Sequence, residues 1–309
     1  MTSFFPLVLA AILGLLAVAS AIGFILQRRA TEPGSVATVH NLNARIRSWW
    51  IMVAVFGGAI LLGDTAVDIL FALLSFMALR EFWTLTPSRR GDHQALFLSF
   101  FVVLPVQYVL LGTQWYGLFS IFIPVYAFLI LPAVATLTGD VNEFLARTAR
   151  VQWGLMLTVY SISHAPALLM LQTGTPSALL LVYLVIVVQL SDVFQYVWGK
   201  LLGKHRFSPN ISPSKTLEGL IGGGASAILV GTLLYRLTPF SPLQAAAVST
   251  VIVVAGFFGG FVLSAIKRDL NAKDWGYVIE GHGGVLDRLD SITFAAPLFF
   301  HIVRYWFTS

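Results

Sequence analysis

Residues 179–200 read LLLVYLVIVVQLSDVFQYVWGK, Leu179 to Lys200. The run approaches the roughly 20 apolar residues needed to cross a bilayer core of about 30 Å. It reads as a membrane-crossing helix whose cytoplasmic end falls near Trp198. Asp192 breaks the pattern. At about 1.5 Å per residue it lies about 9 Å inside that end. A carboxylate there costs on the order of 2.5–3.5 kcal/mol by insertion scales, so it needs a partner or a wet cavity. Helical spacing puts Gln189, Asp192, Gln195 and Tyr196 on one stripe. A carboxylate facing an interior cavity is preferred here over a structural ion pair with a nearby lysine.

The rest of the chain fits that helix. Its 309 residues are 57% hydrophobic and 11% charged, with mean hydropathy +0.83. Soluble globular domains carry about 25% charged residues. The composition therefore specifies an all-α polytopic membrane bundle. About ten spans are legible, at 4–26, 49–63, 66–85, 94–112, 116–138, 151–171, 177–198, 217–235, 243–265 and 290–307. The second is short and contains glycine, so a bundle of nine spans with a re-entrant piece is the variant. No polar stretch is long enough to fold alone, and the absence of cysteine excludes disulfides, thiolate metal sites and cysteine nucleophiles.

With ten spans, successive connections alternate sides. Seventeen of the 19 Lys and Arg then fall on one side, leaving Arg236 and Arg304 on the other. This strong positive-inside asymmetry puts both termini outside and the sizeable polar loops in the cytoplasm. It also explains the pI near 9.6 without nucleic acid. The LAVASA motif in the first span resembles a signal-peptide cleavage region, but the positive charge, Arg28-Arg29, follows the apolar run. An uncleaved anchor is expected. RATEPGSVATVHNLNARIR, 29–47, reads as a polar linker between that anchor and the main bundle.

Two further polar clusters lie on the basic side. In KLLGKHRFSPNISPSKTLEGLIGGG, 200–224, Ser212 or Ser214 can cap a helix beginning near Thr216, with Lys215 in its first turn. A cation there is disfavoured by the helix dipole unless an anion is bound, and phosphate is the obvious candidate. Gly222-Gly223-Gly224 reads as close helix packing. The last cluster, SAIKRDLNAKDWGYVIEGHGGVLDRLD, covers 264–290. Five of the chain's fourteen carboxylates fall between Asp269 and Asp290, beside Lys267, Arg268, Lys273, Arg288 and a glycine-flanked His282. Asp287 and Asp290 can share one helical face. Hard oxygen ligands beside phosphate-binding cations point to Mg²⁺ and a polyphosphate. Zinc is disfavoured by one histidine and no cysteine. His164, within a span, reads as a packed polar residue.

This last cluster resembles the signature of the phosphatidate cytidylyltransferases, or CDP-diacylglycerol synthases. Ser264, Ile266, Lys267-Arg268, Lys273-Asp274, Gly276, Ile279, His282-Gly283-Gly284, Val285, Asp287-Arg288, Leu289 and Asp290 all fall on its fixed positions. Upstream, SDVFQYVWGKLLGKHRFSPNISPSKTLEGLIGG is similar to further family segments. The resemblance runs from about residue 45 to the end. It divides the chain into an anchor and linker, 1–44, and a cytidylyltransferase-like domain, 45–309, with its catalytic part at about 189–290. Glu280 departs from the usual Pro or Gly, and the first span is additional.

The resemblance implies transfer of CMP from CTP to phosphatidate, giving CDP-diacylglycerol and pyrophosphate. Asp287, Asp290, Asp192 and Asp274 would hold Mg²⁺, with a second cation allowed for. Lys215, Lys267, Arg268, Lys273 and Arg288 would clamp phosphates, aided by Ser212 and Ser214. His282, Gly283 and Gly284 would shape the phosphate loop. A homodimer in a bacterial inner membrane, with the site facing the cytoplasm, is also implied. Alternatives are a cytidylyltransferase for another lipid phosphate, a CTP-dependent lipid kinase and, from another class, a transporter. A transporter would carry its ionisable groups near the bilayer midplane.

Overall fold

The computed structural model describes residues 4–29, 33–278 and 283–308. Ten long helices occupy them: α1 (Phe4–Arg29), α2 (Pro33–Leu62), α3 (Asp64–Leu85), α4 (Arg90–Gly112), α5 (Tyr116–Thr136), α6 (Phe144–Met170), α7 (Ser177–Leu202), α8 (Leu217–Leu233), α9 (Pro242–Asp269) and α10 (Leu286–Trp306). Eight of them are long and apolar enough to cross a membrane. The other two, α3 and α10, have spanning length, at 22 and 21 residues, and carry their charges mostly near helix ends. The chain is an integral membrane protein of the all-α class. A two-stranded antiparallel hairpin, β1 (Arg206–Ser208) and β2 (Ser212–Thr216), joins α7 to α8.

Two sequence expectations need correction. Pro33 onward, read as linker, is helical: α2 is continuous for 30 residues, so no re-entrant piece is required and the 44/45 boundary falls inside a helix. Val36, Val39 and Leu42 recur at three-residue spacing along this stretch, and Val39 is buried. Likewise α7 runs on to Leu202 instead of stopping near Trp198, which puts Asp192 about 15 Å from its end.

Proline shapes α4 and α5. Pro105 and Pro124 each lack a backbone donor, and the helices widen into π turns at Ser99–Val103 and Phe122–Ala127. The core lies where α6, α7 and α10 meet, with Val159, Ile162, Leu180, Leu184, Phe299 and Phe300 wholly buried. His164 is packed there as expected. Its Nδ1 lies 2.7 Å from the Tyr160 carbonyl, among the rings of Phe119, Tyr160 and Phe300.

Glycine sets the spacing of α7 and α8. A methyl group at Gly223 would overlap the Gln195 backbone, and one at Gly222 would lie 2.9 Å from the Trp198 ring. The two backbones touch, which brings Asp192 and Gln195 to the start of α8. Gly223→Ala must push the helices apart and is expected to cost about 1–3 kcal/mol, the scale of overpacking. Thermal unfolding in detergent measures it; an unchanged midpoint would mean the helices are not in contact there.

Candidate active site

The C-terminal parts of α3, α7 and α9, the hairpin, and the N-terminal parts of α2, α8 and α10 gather at one end of the bundle. There a cavity of about 230 Å³ is lined by residues including Asp192, Ser214, Lys215, Asp287, Arg288 and Asp290. A second lobe of about 250 Å³ shares Asp192, Tyr196, Asp287, Arg288 and Asp290, and adds Arg45, Trp49, Gln189 and Val193. Residues remote in sequence thus converge on a single polar centre. Its carboxylates form a wall common to both lobes.

The hairpin delivers Lys215. Pairing of Ser212 with Ser208 and of Thr216 with Arg206 keeps the chain extended through Thr216. The cap of α8 is therefore Thr216, whose hydroxyl accepts the Gly219 N–H at 3.1 Å, and not Ser212 or Ser214. Lys215 precedes the helix instead of sitting in its first turn. Its ammonium lies 4.7 Å from the Phe257 ring centroid and donates to the Phe257 carbonyl at 3.3 Å. Burial pushes its pKa below the ordinary lysine value, while the charges of Asp290 and Asp192 oppose that shift. Gly260 makes room: a methyl there would lie 3.1 Å from Lys215 Nζ and 3.3 Å from Asp290 Oδ2.

Asp192 and Asp290 are joined through Ser291. The Ser291 hydroxyl donates to Asp192 Oδ2 at 2.9 Å and lies 3.4 Å from Asp290 Oδ1, which also accepts the Ser291 N–H at 2.7 Å. Asp287 is engaged differently. Its Oδ1 accepts from Lys267 Nζ at 2.6 Å, and its Oδ2 accepts the N–H groups of Trp275 and Gly284 at 2.8 and 2.9 Å. The carboxylate ties the segment before α10 to that helix's first turn. With these three donors Asp287 acts as a clasp, while its side chain still borders both lobes.

The other expected site residues divide accordingly. Lys215, Ser214, Arg288, Asp192, Asp287 and Asp290 line the first lobe. Ser212 pairs within the hairpin, and Lys267 is drawn to Asp287. Arg268 is exposed and donates to the carbonyls of Ile211 and Ala272 at 3.3 and 3.2 Å. Lys273 is exposed, and Asp274 packs beside Gly283; neither lines either lobe. Gly284 gives its N–H to Asp287. His282 and Glu280 lie outside the described residues.

Sequence reasoning missed Arg45 and Trp49. Arg45 was legible only as one of the basic residues that set topology. Phe257, which supports Lys215, carried no signal beyond belonging to an apolar run.

Among the described residues no group of three acidic or histidine side chains forms a metal cage. Asp192 and Asp290, half-buried and linked by one hydroxyl, instead offer a pair of carboxylates at the cavity. Mg²⁺ is typically held by one or two carboxylates and completes its shell with water and phosphate oxygens. The donor set fits such an ion better than one needing a closed protein cage.

Against known proteins, residues 43–306 match the model of the Cytidylyltransferase family. The chain belongs to that family, and its class of reaction is nucleotidyl transfer. It is 40% identical over 302 residues to "Uncharacterized protein YnbB" of Escherichia coli (strain K12), covering 96% of this chain and 97% of that protein. It is 38% identical over 120 residues to a phosphatidate cytidylyltransferase of Staphylococcus haemolyticus (strain JCSC1435), covering 38% of this chain and 46% of the enzyme. A phosphatidate cytidylyltransferase of Aquifex aeolicus (strain VF5) is 40% identical over 115 residues, covering 37% and 43%. The matches to these two enzymes span less than half of their length.

Proposed function

We propose that this protein transfers CMP from CTP to phosphatidate at the cytoplasmic boundary of a bacterial inner membrane. One observation carries the reading: two adjoining cavities share Asp192, Arg288 and Asp290, and one of them adds Lys215, so that charged groups from α7, the hairpin and α10 meet in one place. Family membership supplies the class of reaction, and the basic asymmetry of the loops supports the cytoplasmic side.

A phosphatidate oxygen attacks the α-phosphorus of CTP. The bond from that phosphorus to the β-bridging oxygen breaks, and pyrophosphate leaves with its electron pair. The nucleophile is already anionic at neutral pH, so no strong general base is needed. The obstacle is bringing two anions together, and positioning with electrostatic stabilisation supplies most of the catalysis. Asp192 and Asp290 would hold Mg²⁺, which when bound neutralises charge on the triphosphate. Lys215, flanked by Ser214 and Thr216, suits the triphosphate arriving from water. Arg45 suits the lipid phosphate: its lobe is flanked by Trp49 and Val193, and the exposed Val197 follows Val193 by one turn of α7. Arg288 borders both lobes and can steady the phosphates as they approach.

The lobes make a separable prediction. Lys215→Ala is expected to raise KM for CTP at least about tenfold, the scale of one lost charge-assisted hydrogen bond, with KM for phosphatidate little changed. Arg45→Ala is expected to do the converse. Steady-state kinetics with both substrates varied tests this; equal effects on both constants would contradict the division. Turnover compared among phosphatidate, an isoprenoid ether lipid phosphate and a polyprenol tests the lipid. Preference for either of the last two would replace phosphatidate as substrate.

A further inference from the structure

The first turn of α10 carries Asp287 and Arg288, with Asp290 just beyond, so anything that fixes this turn fixes half of the site. Its start has no local cap. The residue before it is Val285, whose side chain cannot accept the free N–H groups that begin every helix. The acceptor comes instead from α3. Glu81 Oε1 accepts the Val285 N–H and Glu81 Oε2 the Leu286 N–H, both at 2.8 Å, across 204 and 205 residues of chain.

The surroundings are shaped for this contact. Glu81 is buried, at 5% exposure. A methyl at Gly284 would collide with its carboxylate, and one at Gly276 would lie 2.9 Å from Oε1. The adjacent Phe82 stacks on Trp275 with ring centroids 5.5 Å apart. Trp275 in turn donates its backbone N–H to Asp287 at 2.8 Å. A negative charge at a helix N-terminus is favourable, and two N–H donors offset much of the cost of burying it. Glu81 does not line either lobe, so it can act on the reaction only through α10.

We infer that Glu81 is a positioning residue: it sets the depth and rotation of the first turn of α10, and thereby where Arg288 and Asp290 stand relative to Asp192 and Lys215. The inference rests on the cytidylyltransferase reading of that cavity. Glu81→Gln keeps the size of the side chain, removes the charge and turns one acceptor into a donor facing an N–H group. Displacement of a reacting assembly by about 1 Å can cost about 10²-fold. The expected result is a kcat lower by about 10²-fold with KM for CTP changed by less than about threefold. Amide hydrogen exchange at 283–290 should speed up at least about tenfold while that of α5 and α6 stays unchanged. Glu81→Asp restores the charge on a shorter arm and should recover part of kcat.

A kcat for Glu81→Gln within about twofold of wild type would overturn the inference. So would exchange that rises equally in all helices, which would mark Glu81 as a general stability element. If Glu81→Gln fails to fold, Glu81→Asp carries the same two readouts. Inactivity of the wild-type protein with every lipid phosphate would count against the proposed reaction instead, and the exchange measurement would still decide whether Glu81 anchors α10.

Discussion

Asp290→Asn is expected to reduce CMP transfer by about 10³-fold, the scale of removing a preorganised electrostatic group, without lowering stability. Asparagine keeps the size of the side chain, and its carbonyl oxygen can still accept the Ser291 N–H that Asp290 Oδ1 accepts at 2.7 Å. What disappears is one of two charges at the cavity. For the fold that charge has two opposing effects: it is repelled by Asp192, with which it shares the Ser291 hydroxyl, and it is attracted to the Lys215 ammonium. With the repulsion from Asp192 relieved and the attraction to Lys215 lost, the thermal midpoint in detergent should change little. Pyrophosphate release and thermal unfolding, measured on the same preparation, test both halves. Activity within about tenfold of wild type would remove Asp290 from the site, and a lowered midpoint would make its role structural.

Lys267→Met is expected to give the largest loss of stability, about 3–5 kcal/mol, because it strands a carboxylate in a buried ion pair. Lys267 and Asp287 are 2.6 Å apart, with side chains 11% and 5% exposed. Asp287 would keep the N–H groups of Trp275 and Gly284 but lose its only cationic partner among the described residues. The double substitution Lys267→Met with Asp287→Asn should recover much of that loss, since the amide oxygen can still accept from the two backbone donors. A double-mutant cycle from unfolding midpoints reads the coupling directly. Additive effects would mean the pair is not coupled. This geometry also changes what Asp287→Asn means. Read from the sequence it deletes a metal ligand; in the structure it also loosens the clasp that orders the approach to α10, and activity falls by either route.

Much of the fold and part of the site were legible in the sequence, for identifiable reasons. Apolar runs of spanning length give the helices, and α3 and α10 were recognisable despite their charges because those charges lie mostly near the ends. Asp192 announced itself by its cost in an apolar run. Lys215, Arg288 and Asp290 were found because charge is scarce in this chain and concentrates where it is used. What the sequence could not give depends on tertiary geometry. Lys267 and Arg268 look like phosphate clamps in sequence; the structure adds that one pairs with Asp287 and the other donates to carbonyls of Ile211 and Ala272. Thr216 displaced Ser212 and Ser214 as cap because β-pairing holds the chain extended one residue further than a helix signal can reveal. Glu81 was invisible because the helix it caps begins more than two hundred residues away. Arg45 was hidden among basic residues that topology alone explains.

The most direct measurement follows the two ends of the triphosphate. Purified protein is incubated with Mg²⁺, phosphatidate and CTP labelled at either the α- or the γ-phosphate. Chemistry in the shared cavity of Asp192, Lys215 and Asp290 should send the α-label into the lipid and the γ-label into pyrophosphate, in equal amounts. Appearance of the γ-label in lipid with release of CDP, or no transfer of either label to phosphatidate, would contradict it.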